Sequence, residues 1–175
     1  MEFQIRSGTT EDIKDINFVN RKTWKTSYIG LIDQDFLDKL ETDITEERIK
    51  VIKGAMTKGD SAFVVALAQN QIVGMIRYSK SSADKTLREA EIRAFYILEE
   101  YQKMGLGTKM LSFAAKEMLE AGYKKLVICC LDKNPANQFY IKAGGVKTCT
   151  RSFRLDGKTY QDNMYYFADL RTLLV

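Results

Sequence analysis

The chain contains no histidine, one proline and three cysteines in 175 residues. Without histidine, the usual Ser-His-Asp and Cys-His nucleophilic systems cannot be built, and the commonest metal ligand is missing. Any general base must be a carboxylate, a tyrosine, a lysine or a water molecule, and we expect no metal site. No apolar run approaches the roughly 20 residues of a membrane span, and no signal-peptide core follows Met1. We therefore expect a cytoplasmic protein without a membrane partner.

Two of the three cysteines, Cys129 and Cys130, are adjacent in a strand-like stretch. Their side chains should point to opposite faces, which does not suit the binding of one metal by both. The odd count predicts reduced, buried thiols, and a reactive thiol is the alternative. The net charge of +4 suits an anionic ligand but is too diffuse to indicate nucleic acid binding.

The chain length predicts one domain, residues 1–175, with a sizeable core. Apolar periodicity predicts the order β-α-α-α-β-β-β-α-β-α-β-β, a mixed α/β domain with one sheet. Residues 125–131 are nearly all apolar, which is typical of a central strand. Asp156-Gly157 between two β-rich runs predicts a hairpin, and residues 79–86 read as a polar loop.

A glycine-bearing loop, residues 101–108, joins a predicted strand at residues 92–98 to a predicted helix at residues 109–121. Gly105 and Gly107 allow a sharp bend and leave backbone N–H groups uncovered, and the helix N-terminus adds partial positive charge. A strand, such a loop and a helix predict an anion site, most often for phosphate. The run lacks the G-K-[ST] of a P-loop and the third glycine of a dinucleotide fingerprint.

Residues 102–107, Gln-Lys-Met-Gly-Leu-Gly, match the pattern Q-x-x-G-x-G in full. This resembles the Gcn5-related N-acetyltransferases (the GNAT family), in which the loop holds the pyrophosphate of acetyl-CoA. Residues 134–144 look like the family segment N-x-x-A-x-x-F-Y-x-x-x-G, although Asn137 or Gln138 stands where alanine is common. The resemblance implies the GNAT fold, a single mixed and mostly antiparallel sheet of about seven strands flanked by helices.

The same resemblance implies that acetyl-CoA is the acetyl donor and that the enzyme is an N-acetyltransferase. The pantetheine arm of acetyl-CoA would lie beside the main chain of the strand before the loop. A backbone N–H near Phe95 would donate a hydrogen bond to the carbonyl oxygen of the thioester. The implied cofactor-binding residues are Phe95, Tyr96, Ile97, Gln102, Lys103, Met104, Gly105, Leu106, Gly107, Thr108, Asn134, Asn137 and Tyr140.

Two residues are implied in catalysis. An alkyl amine is almost entirely protonated at pH 7, so a base or a desolvating pocket is needed. The resemblance implies Glu91 as that base, and alternation predicts that Glu91, Arg93, Phe95 and Ile97 share one strand face. The alternatives are that Glu91 pairs with Arg93 or Arg88 and that an ordered water is the base. Tyr140 is implied as the acid that protonates the departing thiolate.

The acceptor is less explicit. Residues 24–40 look like the α1–α2 segment of small-molecule acetyltransferases in the family, some of which acetylate polyamines. Trp24 and Tyr28 would form an apolar wall, and the acids of residues 33–47 would attract ammonium groups; the alternative is that these residues are core, caps and a solvated helix face. We expect a polyamine or another small cationic amine, with a peptide or protein amine still open.

A non-catalytic acyl-CoA-binding sensor is the alternative of another class. Such a sensor would bind acyl-CoA through the same loop but would not transfer the acyl group. We expect no nucleic acid partner, because no basic face with interleaved aromatic residues is present. The C-terminal strands could pair between subunits in a homodimer.

Overall fold

The computed structural model describes residues 2–82 and 88–175. Its strands and helices follow the predicted order, which is confirmed. The strands are β1 (Gln4–Ser7), β2 (Ala62–Ala68), β3 (Gln71–Lys80), β4 (Glu89–Ile97), β5 (Lys125–Leu131), β6 (Val146–Leu155) and β7 (Lys158–Phe167). The helices are α1 (Ile13–Ser27), α2 (Gln34–Asp38), α3 (Glu46–Thr57), α4 (Leu106–Glu120) and α5 (Ala136–Lys142), with short 3-10 turns at Thr10–Asp12, Glu99–Tyr101 and Leu170–Leu173. The predicted polar loop at residues 79–86 lies in part outside the described residues.

The strands form one mixed sheet of seven strands in the order β1-β2-β3-β4-β5-β7-β6, as the resemblance implied. β4 and β5 are parallel and every other described pair of neighbours is antiparallel. The parallel pairing runs from Glu89 with Lys125 to Ile92 with Ile128. Beyond these residues β4 stays beside β3 and β5 stays beside β7, so a cleft opens in the middle of the sheet.

A β-bulge interrupts β4 at the start of this cleft. Arg77 pairs with Ala94 while the next residue, Tyr78, pairs with Ile92, so Arg93 is an extra residue on β4. An extra residue reverses the alternation of side chains along the rest of the strand, because the side-chain period of a strand is two.

The bulge overturns one prediction. Glu91, Arg93, Phe95 and Ile97 do not all share a face, since Glu91 lies before the bulge and Phe95 and Ile97 lie after it. The ring of Phe95 faces α5, with its centroid 5.9 Å from that of Phe139. Glu91 therefore points to the opposite face of the sheet.

The two faces carry different helices. On the back face, Gly74 of β3 lies so close to α4 that an added Cβ would meet the sulfur of Met110 at 2.9 Å. On the front face, the next residue, Met75, lies opposite Tyr96, whose hydroxyl is 3.4 Å from that of Tyr28 just after α1. α1 therefore covers the front face, and α4 and α5 cover the back face.

The main core fills both sides of β2 to β5, with residues such as Val64, Ile76, Met110 and Leu126 fully buried. A second, smaller cluster joins the α1–α2 segment to the β6–β7 hairpin; its members are Ile32, Leu37 and Leu40, packed against Trp24, Tyr28, Phe36, Leu131, Leu155 and Tyr160. This cluster holds the α1–α2 segment over the front of the cleft. Within residues 2–82 and 88–175, no helix is both long and apolar enough to cross a membrane.

Candidate active site

A cavity of about 670 Å³ occupies the cleft between β4 and β5. Most of the predicted site residues line it: Tyr28, Phe95, Tyr96, Ile97, Gln102, Lys103, Gly105, Gly107, Thr108, Asn134 and Tyr140. The others do not line it: Trp24, Glu91, Met104, Leu106 and Asn137. Both faces of the sheet contribute to its wall, so the cavity extends through the cleft.

The glycine loop forms the back end of the cavity. Lys103 and Gly105 adopt left-handed backbone conformations, with φ of 60° and 77°. The helix begins at Leu106 rather than at residue 109, so Gly107 and Thr108 lie in its first turn. N–H groups in the first turn of a helix have no intrahelical acceptor, and the partial positive charge of the helix end lies there too. The loop and the helix start therefore form a site suited to an anion.

Gln102 fixes the loop against the strand. Its side-chain amide donates a 2.8 Å hydrogen bond to the carbonyl oxygen of Ile97 at the end of β4. Gly107 is fixed by packing, because an added Cβ would contact the Phe139 ring at 3.4 Å. The glutamine and the second glycine of the motif thus set the distance between β4, α4 and α5.

The main chain of β4 presents free groups to the cleft. The N–H of Leu98 donates to the carbonyl oxygen of Val73 on β3 over 2.9 Å. Because successive N–H groups of a strand point to alternate sides, those of Ile97 and Phe95 point away from β3 and toward the cleft. The main chain of Tyr96 instead faces β3, and its side chain faces the front.

Tyr140 lies on the back wall, with its ring centroid 5.4 Å from Phe139 and 5.8 Å from Tyr165. It is 6% exposed, and its hydroxyl makes no hydrogen bond to a residue in the described part of the chain. Burial raises the pKa of the hydroxyl well above its ordinary value, and Cys130 and Tyr96 raise it further. Tyr140 thus offers a protonated hydroxyl to the cavity.

Asn137 does not line the cavity and instead bonds to residues that surround its back wall. Its amide donates to the carbonyl oxygens of Asn134 and Leu131, at 2.7 and 3.0 Å, and its Oδ1 accepts from the hydroxyl of Tyr165 at 2.7 Å. Asn134 accepts the N–H of Ala136 at 2.8 Å and so caps α5 while also lining the cavity. Sequence reasoning could not find the role of Asn137, because its partner on β7 is distant in the chain.

Glu91 is on the front face and 8% exposed. Its carboxylate forms a 2.9 Å salt bridge with Arg93, which is the pairing that the sequence offered as an alternative. Arg93 itself lines the cavity and is the residue that the bulge adds. The carboxylate therefore does not line the cavity itself, but it is paired with a residue that does.

The front wall is aromatic and polar. The hydroxyls of Tyr28 and Tyr96 lie 3.4 Å apart, and the ring of Trp24 packs edge-on to Tyr28 at 4.8 Å. Burial raises the pKa of both tyrosines. Thr23 also lines the cavity, is 3% exposed, and its hydroxyl has no partner within the described residues. No sequence signal pointed to Thr23.

The acids of residues 33–47 do not line the cavity. Asp33 caps α2 and forms a salt bridge with Lys158, while Glu46 and Glu47 lie in the first turn of α3. In the part of the chain that the structure describes, the charged residues that do line it are Arg93, Glu99 and Lys103. The acidic rim predicted for the acceptor is therefore not at the cavity.

The cysteines differ from one another. Cys129 lines the cavity on the front side, and burial raises its pKa to about 11, while burial raises that of Cys130 to about 12. Both thiols stay protonated at neutral pH and are poor nucleophiles. Cys149 on β6 is exposed, so the prediction of buried thiols is wrong for it. Across the described residues, no group of His, Cys, Asp and Glu could hold a metal ion.

The comparisons with known proteins agree with this geometry. The model of the acetyltransferase (GNAT) family matches residues 25–144. The uncharacterized N-acetyltransferase YuaI of Bacillus subtilis (strain 168) is 26% identical over 169 residues, which cover 97% of this chain and 95% of that protein. The spermidine N(1)-acetyltransferase of Thermoplasma acidophilum is 26% identical over 147 residues, which cover 82% of this chain and 88% of that protein.

Among solved structures, yncA of Salmonella typhimurium, determined with its cofactor acetyl-CoA, superposes with a TM-score of 0.74. It is 17% identical, and the superposition covers 96% of this chain and 94% of that one, so the two chains share the fold. The family match spans the glycine loop, the cleft and α5. The chain therefore belongs to the acetyltransferase (GNAT) family, the Gcn5-related N-acetyltransferases that its sequence motifs resemble.

Proposed function

We propose that this protein transfers the acetyl group of acetyl-CoA to a primary amine by direct attack in a ternary complex. The observation that carries the proposal is a cavity with two different ends that meet at the cleft between β4 and β5. The back end has the anion-binding loop, and the front end has a separate wall from α1 and the bulged strand. Two ligands can enter from opposite faces and meet in the middle.

The back end suits acetyl-CoA. The N–H groups from Gly105 to Thr108 would hold the pyrophosphate, with Lys103 adding positive charge. The free main-chain groups of Phe95 and Ile97 would bind the amides of the pantetheine arm as a neighbouring strand does. That yncA, with the same fold, was solved with acetyl-CoA supports this assignment.

The chemistry then follows from the residues at the cleft. The thioester supplies an activated acyl group. The amine nitrogen attacks its carbonyl carbon, the C–N bond forms, and the C–S bond breaks with its electron pair going to sulfur. The N–H of Phe95 stabilises the carbonyl oxygen, and the hydroxyl of Tyr140 protonates the departing sulfur.

The amine must lose a proton before or during attack. Glu91 lies on the acceptor face and is paired with Arg93, which lines the cavity, whereas Glu91 does not. We therefore assign it the role of base through an intervening water. The front wall of Thr23, Tyr28 and Tyr96 would hold the amine, and the positive charge of Arg93 at the same end favours its neutral form.

The test is a thiol-release assay with acetyl-CoA and a panel of primary amines, with the acetylated product identified by mass. We expect thiol release that depends on the amine. Binding of acetyl-CoA without release for any amine, including peptides, would favour the acyl-CoA sensor. A polyamine acceptor, favoured by the relative named as a spermidine N(1)-acetyltransferase, is tested by including spermidine in the panel.

A further inference from the structure

Four arginines from four different elements meet on the front face, and we call them the arginine patch: Arg21 of α1, Arg48 of α3, Arg77 of β3 and Arg93 of β4. Arg93 is the bulge residue beside Ala94, which pairs with Arg77. Arg48 donates a 3.2 Å hydrogen bond to Asn17, one helical turn before Arg21 on α1. Arg77 and Arg93 are thus neighbours on the sheet, and Arg48 is fixed to the helix that carries Arg21.

The directions of two pKa shifts agree with this placement. Burial lowers the pKa of Arg77, and the charges of Arg93 and Arg48 lower it further. Burial also lowers the pKa of Arg21, with Arg48 adding to the effect. Guanidinium groups this close repel one another, and the fold holds them together against that repulsion.

The patch is short of negative charge. Across residues 2–82 and 88–175, Arg93 has a carboxylate partner in Glu91, whereas Arg21, Arg48 and Arg77 form no salt bridge. Arg77 donates instead to the hydroxyl of Ser61, at 3.1 and 3.2 Å. Four guanidinium groups therefore share a single carboxylate. Such a cluster is stabilised when an anion binds to it.

The patch adjoins the acceptor end of the cavity. Arg93 lines that end, and so does Thr23, two residues after Arg21. Among the described residues, the acid that lines the cavity is Glu99, in the 3-10 turn just before the glycine loop at the other end. A polycationic acceptor would meet guanidinium groups at the front, which like-charge repulsion disfavours.

We propose that the acceptor is an amine that also carries a carboxylate or a phosphate group, which the arginine patch binds while the amine points to the cleft. Guanidinium groups suit both anions, because their planar N–H pairs match two oxygens at once. This inference rests on the proposed acetyl transfer and names the class of its acceptor. It replaces the polyamine expected from the acidic segment.

The experiment compares matched amines in the thiol-release assay. The pairs are each common amino acid with its primary amide, which tests the carboxylate, and phosphoethanolamine with ethanolamine, which tests the phosphate; spermidine is the cationic comparison. We expect kcat/KM for the anionic member of one pair to exceed that of its neutral partner by about tenfold or more. The preference should shrink as ionic strength rises.

The variant Arg21→Gln should reduce that preference about tenfold, mainly through the KM of the acceptor, and leave the KM of acetyl-CoA unchanged. Arg93→Lys keeps the charge beside Glu91 and should reduce the preference for the anionic amine only in part. Arg154→Gln is the matched control, since Arg154 is exposed on β6 and bonds only the nearby carbonyl oxygen of Gly157 among the described residues. Circular dichroism checks that each variant is folded.

Equal or better use of ethanolamine, amino acid amides or spermidine would overturn the inference and leave acetyl transfer standing. If the preference is unchanged in both Arg21→Gln and Arg93→Lys, the arginine patch does not cause it, and the inference is wrong. If no amine releases thiol, the proposed function fails, and calorimetry decides the inference separately. Anionic amines should still bind the protein saturated with CoA, and the absence of their binding would show the inference to be wrong.

Discussion

Tyr165 on β7 donates a 2.7 Å hydrogen bond from its hydroxyl to Oδ1 of Asn137 on α5. The same asparagine donates to the carbonyl oxygens of Leu131 and Asn134, at the end of β5 and just before α5. One side chain therefore fixes β5, β7 and α5 relative to one another. Since Tyr140 is one turn further along α5, Asn137 also sets where the Tyr140 hydroxyl lies.

Replacing Asn137 with alanine leaves the Tyr165 hydroxyl without its acceptor and removes the side-chain donor from two carbonyl oxygens, which keep their backbone donors. We expect the free energy of unfolding to fall by about 1–3 kcal/mol, measured by urea denaturation. The kcat should fall as well, because α5 loses its anchor. Asn20→Ala is the control, since the side chain of Asn20 bonds no residue of the described chain and should change stability by less than about 0.5 kcal/mol. Equal stability of the two variants would contradict this role.

Tyr140→Phe tests the proposed acid. We expect kcat to fall by about 10²-fold or more, because the departing sulfur loses its proton donor. The dissociation constant of acetyl-CoA should stay within about twofold, since the ring is kept. Tyr123→Phe, a half-buried tyrosine after α4, should leave kcat unchanged. An unaltered kcat in Tyr140→Phe removes the hydroxyl from the mechanism.

Glu91→Gln tests the proposed base through the pH dependence of kcat/KM. If the carboxylate accepts the amine proton through water, the acidic limb of the profile should flatten in the variant, and the rate at neutral pH should drop by about 10²-fold. A profile that keeps its acidic limb while the KM of the acceptor rises would show that Glu91 only positions Arg93.

Replacement by alanine should have opposite effects on stability at Gly105, which has a positive φ, and at Gly54, which does not. Gly105 has a φ of 77° and open space around it, so Gly105→Ala adds backbone strain without a steric clash. We expect about 1 kcal/mol less stability and weaker acetyl-CoA binding, by calorimetry. Gly54 in α3 also has open space but no positive φ, so Gly54→Ala should raise stability by about 0.5–1 kcal/mol. A stabilised Gly105→Ala variant would contradict the strained loop.

Asp12 gives a prediction for acid stability. The Arg6 guanidinium, 2.7 Å away, together with donors from Thr9, lowers the pKa of the Asp12 carboxyl from 3.8 to about 2. A lowered pKa stabilises the folded state above the usual value, and this stabilisation is lost as pH falls from about 4 to about 2. Asp12→Asn should therefore cost about 1–2 kcal/mol at pH 6 and almost nothing at pH 2. A constant difference from pH 6 to pH 2 would contradict the ion pair.

Features that depend on neighbouring residues could be predicted from the sequence. Asp156 and Gly157 both adopt positive φ in the hairpin turn, as a two-residue Asp-Gly turn requires. The cap at Thr9 and the glycine loop are likewise local. The bulge at Arg93 could not be predicted, since it depends on how β3 pairs with β4. The partners of Asn137 and the arginine patch depend on contacts between elements far apart in the chain.

α4 begins at Leu106, three residues before the predicted start, because of how Gly107 packs. Glycine disfavours helix interiors, so Gly107 argued for a loop. In the fold its lack of a side chain lets Phe139 approach α4, and the first turn includes it. Packing between helices thus outweighed the intrinsic preference of the residue.

β4 and β5 share only the short ladder that ends at Ile92 and Ile128, and this ladder joins two antiparallel half-sheets, β1 to β4 and β5 to β7. Because few backbone hydrogen bonds join the two half-sheets, the sheet should bend most easily at the cleft. We expect a molecule bound along Phe95 and Ile97 to lengthen this ladder and to stiffen the sheet across its middle. The two half-sheets should then bend less against each other, also at residues that the ligand does not contact.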